Sequence, residues 1–135
     1  MMNDPLYRQF LDSDHRLRVF SDGALIFSSR KEGLLPLLDY LEKFTDSNLG
    51  VIMMDKVVGN AAALLMIKAR CDRVYSPIGS ELAAKSFRAN NIAYYFNHTV
   101  PYIQRASSAQ MCPMEELSLG KTPTEFLIAL KEYAR

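Results

Sequence analysis

A continuous apolar run, Leu49 to Met54, leads within two residues into a segment that is apolar on nearly every side, Lys56 to Arg70. A strand with no polar alternation is covered on both faces. A helix without a polar stripe lies at the centre of a core. A chain that sets the two side by side has little choice but a parallel sheet with helices packed across it.

The flanking segments extend that pattern. Asp4-Pro5 caps and opens a helix to about Leu11. Leu17–Phe20 and Ala24–Phe27 flank Ser21-Asp22-Gly23, an Asp-Gly hairpin signal. From Glu32 to Phe44, Leu34, Leu37, Leu38, Leu41 and Phe44 recur at helical spacing, with Pro36 in the first turn and Asp46-Ser47-Asn48 at the end. Val74–Ile78 reads as a short strand, Ser80 caps a helix to Asn90, and Ile92–Phe96 is rich in β-forming aromatics. Val100–Ile103 reads as an extension of that strand or a further edge strand, and a polar loop from 104 to 111 leads to a short helix near Met114–Leu119. Thr122-Pro123-Thr124-Glu125 is a capping box that opens a last helix. The expectation is a three-layer α/β/α domain spanning 1–135, its mixed sheet opening with an antiparallel hairpin.

Composition narrows the function classes. Apolar residues make up 49% of 135, an ordinary globular balance. The formal charge is +1 and no basic run exceeds Arg30-Lys31, so a nucleic acid polymer is not an expected partner. A nucleotide-sized ligand is not excluded. No apolar stretch approaches a membrane span of about 20 residues. Two cysteines, Cys71 and Cys112, suit a reducing compartment better than a disulfide scaffold, so the cytoplasm is the expected location.

Two short stretches carry the candidate chemistry: Asp55-Lys56-Val57-Val58-Gly59-Asn60-Ala61-Ala62-Ala63 and Met111-Cys112-Pro113-Met114-Glu115. Each reads as a helix start after a strand, where free N–H groups favour anions and thiolates. Asp55 and Glu115 have plain readings as caps, Glu115 as the third residue of a capping box begun by Cys112. Gly59 within a helix implies close approach of a neighbour or a ligand. Asn60 is a polar amide among alanines and needs partners or a ligand. Cys112 is the candidate nucleophile, with His98 as a base only if the fold brings it near; His15 is the other histidine. Cys71 reads as core. Tyr94, Tyr95 and Phe96 could stack on a nucleobase or pack inside.

These stretches resemble the two motifs of the cytidine deaminase-like fold, His-x-Glu and Pro-Cys-x-x-Cys, each on the first turn of a helix. In that likeness Cys112 stands at the first cysteine, Glu115 at the second, Val58 at the ligand position of the other motif and Asn60 at its glutamate. Valine cannot bind zinc and asparagine cannot shuttle a proton as glutamate does. Asp55 is a candidate third ligand beside Cys112 and Glu115. Asp-Lys-Val-Val-Gly-x-Ala-Ala-Ala with Met-Cys-Pro-Met-Glu is more closely similar to an uncharacterised bacterial family, typified by a Thermotoga protein, that the resemblance implies has this fold without the usual zinc signature. No metal or cofactor is then expected, and standard zinc-dependent deamination is disfavoured. The favoured reading is a small, nucleotide-like ligand held around Asp55, Gly59, Asn60, Cys112 and Glu115. A cysteine-dependent enzyme or redox sensor using Cys112, and a homodimeric interaction module without a ligand site, are the alternatives.

Overall fold

The structure, a computed structural model, describes residues 4–44 and 50–133. The expected end of the second helix at Asp46–Asn48, and Leu49 of the apolar run, lie outside them.

Helix α1 (Pro5–Asp12) begins as its sequence implies, with the Asp4 carboxylate accepting the Leu6 N–H at 2.8 Å. Strands β1 (Leu17–Ser21) and β2 (Ala24–Ser29) form the antiparallel hairpin. Its turn places Asp22 and Gly23 at φ 50° and 81°, the left-handed pair that suits a tight hairpin. Helix α2 (Leu35–Lys43), with Pro36 in its first turn, leads to β3 (Val51–Asp55).

Here the structure corrects the sequence reading. No helix starts at Lys56; Val57–Val58 form a short strand, β4, and helix α3 runs only over Asn60–Lys68. The β-branched pair finds parallel partners in Ile78 and Gly79, which outweighs its modest helix propensity. Strand β5 (Cys71–Ser80) is longer than expected and continues through Pro77. Helix α4 (Glu81–Ala89) is capped by Ser80, whose hydroxyl accepts the Ala83 N–H at 3.0 Å. Strand β6 (Ala93–Val100), the short α5 (Pro113–Ser118) and α6 (Pro123–Tyr133) complete the chain. The capping box before α6 is formed in both directions, Thr122 N–H to Glu125 at 2.8 Å and Glu125 N–H to Thr122 at 3.1 Å.

The six-stranded sheet is mixed: β1 is antiparallel to β2 and β3, whereas β3, β4 and β6 are parallel to β5. Residues 73–75 of β5 pair with both β3 and β6, and residues 78–79 with both β4 and β6. Strands β3 and β4 therefore lie end to end along one side of β5, with β6 on the other. Crossovers of one hand that step in one direction place their helices on one face. Helix α3 and helix α4 duly pack together there.

Successive strand residues feed opposite faces. Val19, Met53 and Val74 join the main core with α2, α3, α4 and α6, while Phe20, Met54 and Tyr75 meet Tyr7 and Phe10 of α1. Both faces thus carry helices, five of the described helices on one and α1 on the other. Tyr94 and Phe96 stack around Phe87 in the main core, and Tyr95 stacks on Tyr75 across the sheet. Among the described residues no helix is long and apolar enough to cross a membrane.

Candidate functional site

The break between β3 and β4 is made by Asp55. Its carboxyl group lies beside the backbone N–H groups of Val57 and Lys56 at the strand's end, and the Lys56 N–H donates to the Arg16 carbonyl at 3.1 Å. Asp55 is therefore a strand-terminating side chain, not the cap of α3; Gly59 occupies that cap position. Lys56 leaves on the opposite side, donating to the carbonyls of Ser13 and His15 at 2.8 Å each above the Phe10 ring.

With no side chain, Gly59 cannot cap α3. Glu115 supplies the cap from a distance: one carboxyl oxygen accepts the Asn60 N–H, and the other accepts the Ile103 N–H at 2.9 Å. Glu115 is only 2% exposed. The closeness explains the glycine, because a Cβ at Gly59 would stand 2.8 Å from Glu115 Oε1 and 2.7 Å from Ile103 Cγ1. The capping box expected between Glu115 and Cys112 does not form, since the Cys112 N–H donates to the Ile103 carbonyl at 2.8 Å instead. The acidic group that the start of α3 favours is thus already present within the chain.

Asn60 is fully engaged by protein. Its amide nitrogen donates to Ser118 Oγ at 3.0 Å, and its oxygen accepts the Ser86 hydroxyl at 2.5 Å. The side chain ties α3 to α4 and α5, which answers the question a buried amide poses, and it does not line the site.

A cavity of about 550 Å³ opens beside these helix starts. Asp55, Gly59, Cys112 and Glu115 line it together, so the structure gathers four of the five candidate residues in one place. The walls are largely aliphatic, with Leu34, Val57, Ile103 and Met114 contributing, and among the described residues no aromatic ring lines them. Tyr94, Tyr95 and Phe96 lie in packing elsewhere. The segment from Ile103 to Cys112 forms one wall and folds back on itself through the Gln104–Met111 bridge and an Arg105 N–H to Gln110 carbonyl bond of 2.8 Å.

Arg16, absent from the sequence-derived set, also lines the cavity. It precedes β1 and comes close because Leu17 pairs with Asp55. Its guanidinium enters no ion pair among the described residues. An arginine beside an Asp-Gly hairpin carries no local sequence signal; only the β1–β3 register brings it here.

Electrostatics single out Asp55. Burial lifts its carboxyl group to about 7, against the opposing pull of the Val57 and Lys56 N–H groups and of the Arg16 and Lys56 charges. Near neutral pH it can therefore both accept and donate a proton. Cys112 is partly exposed at the start of α5 with its side chain free of any capping bond. Cys71, by contrast, is buried, and burial first and Asp72 second push its thiol up to about 12. Neither histidine reaches the cavity: His15 accepts from Arg18 at 2.8 Å, and His98 is exposed on β6. Among the described residues no three of His, Cys, Asp and Glu are grouped to hold a metal ion. Asp55, Cys112 and Glu115 share a cavity but not a coordination sphere.

A family model described as a domain of unknown function, DUF1893, matches residues 7–133. Among solved structures, the crystal structure of a DUF1893 family protein from Thermotoga maritima is similar to this chain with a TM-score of 0.85 and 27% identity, covering 95% of this chain and 86% of that one. No curated protein matches the chain.

Proposed function

The chain belongs to the DUF1893 family, and we propose that it binds a small polar ligand in the cavity between β3, the start of α3 and the Ile103–Cys112 wall. One observation carries this reading: an arginine with no ion pair among the described residues, a carboxyl group held near 7 and a partly exposed thiol converge on one mostly aliphatic recess. Arg16 offers a fixed cation to an acidic group on the ligand, and Asp55 exchanges a hydrogen bond with an amide, amine or ring nitrogen. A cavity of about 550 Å³ with aliphatic walls such as Val57 and Met114 is of a size to take a nucleotide-like ligand without aromatic stacking.

The arrangement also supports reading the chain as a cytidine deaminase-like fold adapted to binding. Two helices begin beside the parallel part of a mixed sheet and face a common recess, as in that fold. The residue at the proton-shuttling position, Asn60, is turned into the protein towards Ser86 and Ser118. Glu115, at a ligand position, has both oxygens on backbone N–H groups. Zinc-dependent hydrolysis is therefore not the activity we assign.

A second reading, a cysteine-dependent reaction or redox response at Cys112, draws on the same cavity, because Asp55 is a proton acceptor lining it with the thiol. One set of experiments addresses both. Thermal shifts are measured with nucleosides, nucleotides and small carboxylates on the wild type, Arg16→Ala and Asp55→Asn. A ligand that stabilises the wild type and loses at least tenfold in affinity in both variants supports binding; no shift across the panel overturns it. Iodoacetamide labelling then reports on Cys112 alone while the fold keeps Cys71 buried. Labelling that accelerates through pH 7 in the wild type but not in Asp55→Asn supports the thiol reading, and identical profiles sink it.

A further inference from the structure

We infer that β6 pairs edge to edge with β6 of a second copy of this chain, joining the two six-stranded sheets into one. Because β3 and β4 occupy one side of β5, the far side of β6 is an outer boundary of the sheet. Among the described residues no backbone hydrogen bond reaches that side. An unpaired edge is a template for another strand, and sheets that stay alone blunt it with lysine, proline or a bulge.

The two edges of this sheet differ in that respect. On β2 the register slips, Val19 facing Phe27 and Phe20 facing Leu25, so Ile26 bulges from the ladder. Strand β6 keeps one unbroken register with β5 from Ala93 to Val100. It contains no Lys, Arg, Asp, Glu or Pro. At about 3.3 Å per residue it presents roughly 26 Å of regular edge.

The chemistry of that edge selects the occupant. Pairing about a twofold axis sets each residue against one from the same strand, so a charged strand would repel its own copy; β6 has no fixed charge to do so. A charged peptide from another protein would find no counter-charge on it. The nearby Arg88, which donates to the Tyr94 hydroxyl, is already paired with Glu81 at 2.8 Å. The chain's formal charge of +1 adds little long-range repulsion between copies. Tyr94 and Phe96 on one face, and Tyr95 on the other, remain partly exposed beside the edge, and the partner would cover what is left on both faces.

The full chain is tested by sedimentation velocity from low to high micromolar concentration, together with amide hydrogen exchange across β6. The expected result is a dimer in which consecutive β6 amides become protected as concentration rises, because the outward-facing N–H groups gain partners. Thr99→Lys, an exposed edge position away from the cavity, is expected to weaken dimerisation about tenfold or more without changing the thermal melt of the dilute, monomeric protein. A monomer at every concentration overturns the inference. So does a dimer whose β6 amides exchange as they do when dilute, or a folded Thr99→Lys protein that dimerises as the wild type does. Should Thr99→Lys fail to fold, the exchange pattern of the wild type decides.

Discussion

At the scale of single residues, the site is governed by carboxyl groups that serve the backbone. The Asp55 carboxyl group, at the end of β3, stands near 7 because burial opposes its charge. A carboxyl group raised on folding keeps its proton in the native state after the unfolded chain has lost it, so its contribution falls as pH climbs from about 4 to about 7. Asp55→Asn keeps the shape and an acceptor oxygen and removes the charge. It is expected to match the wild type near pH 4 and to be more stable near pH 8 by about 1–2 kcal/mol, the solvent in the cavity moderating the effect. Denaturant midpoints for both proteins across that range check it. Glu115→Gln leaves one of two backbone N–H groups facing an amide NH₂, with an expected loss of about 1–3 kcal/mol. Gly59→Ala forces a methyl group against Glu115 and Ile103 and is expected to cost a similar amount. The double variant should cost less than the sum, since both changes disturb one contact, and equilibrium unfolding of all three measures the shortfall.

Among the elements, those governed by a few neighbouring residues were legible. Asp22-Gly23 makes its hairpin and Thr122–Glu125 its capping box, because each motif satisfies the backbone within four residues. Thr122→Ala should therefore loosen α6 by about 1 kcal/mol, seen as a lower urea midpoint with an unchanged slope. Helix α3 was legible as a central buried helix but not at its start. Its residues Ala63, Leu65 and Met66 are fully buried, whereas the Val57–Val58 strand depends on Ile78 and Gly79, two elements away. Leu65→Ala is expected to cost about 2–5 kcal/mol, checked by the same unfolding measurement. The candidate site follows the same division. Its residues Asp55 and Cys112 could be named from helix-start patterns, but Arg16 enters only through strand register. Asn60 looked like a ligand contact because its partners, Ser86 and Ser118, lie on other helices.

For the molecule as a whole, the uneven layering places the cavity, the helix starts and most of the core on one side of the sheet, with α1 alone on the other. Several of the contacts that complete this side arrive late in the chain. The bond from Glu115 to the Asn60 N–H spans 55 residues. A chain emerging from a ribosome would therefore expose the start of α3, and the β-strands up to Val100, well before the acid that completes that helix is synthesised. Until then α3 has only a glycine at its cap and no counter-charge for its dipole. The central helix thus takes its cap from a residue made only after every strand of the sheet, which puts this contact among the late, non-local steps of folding.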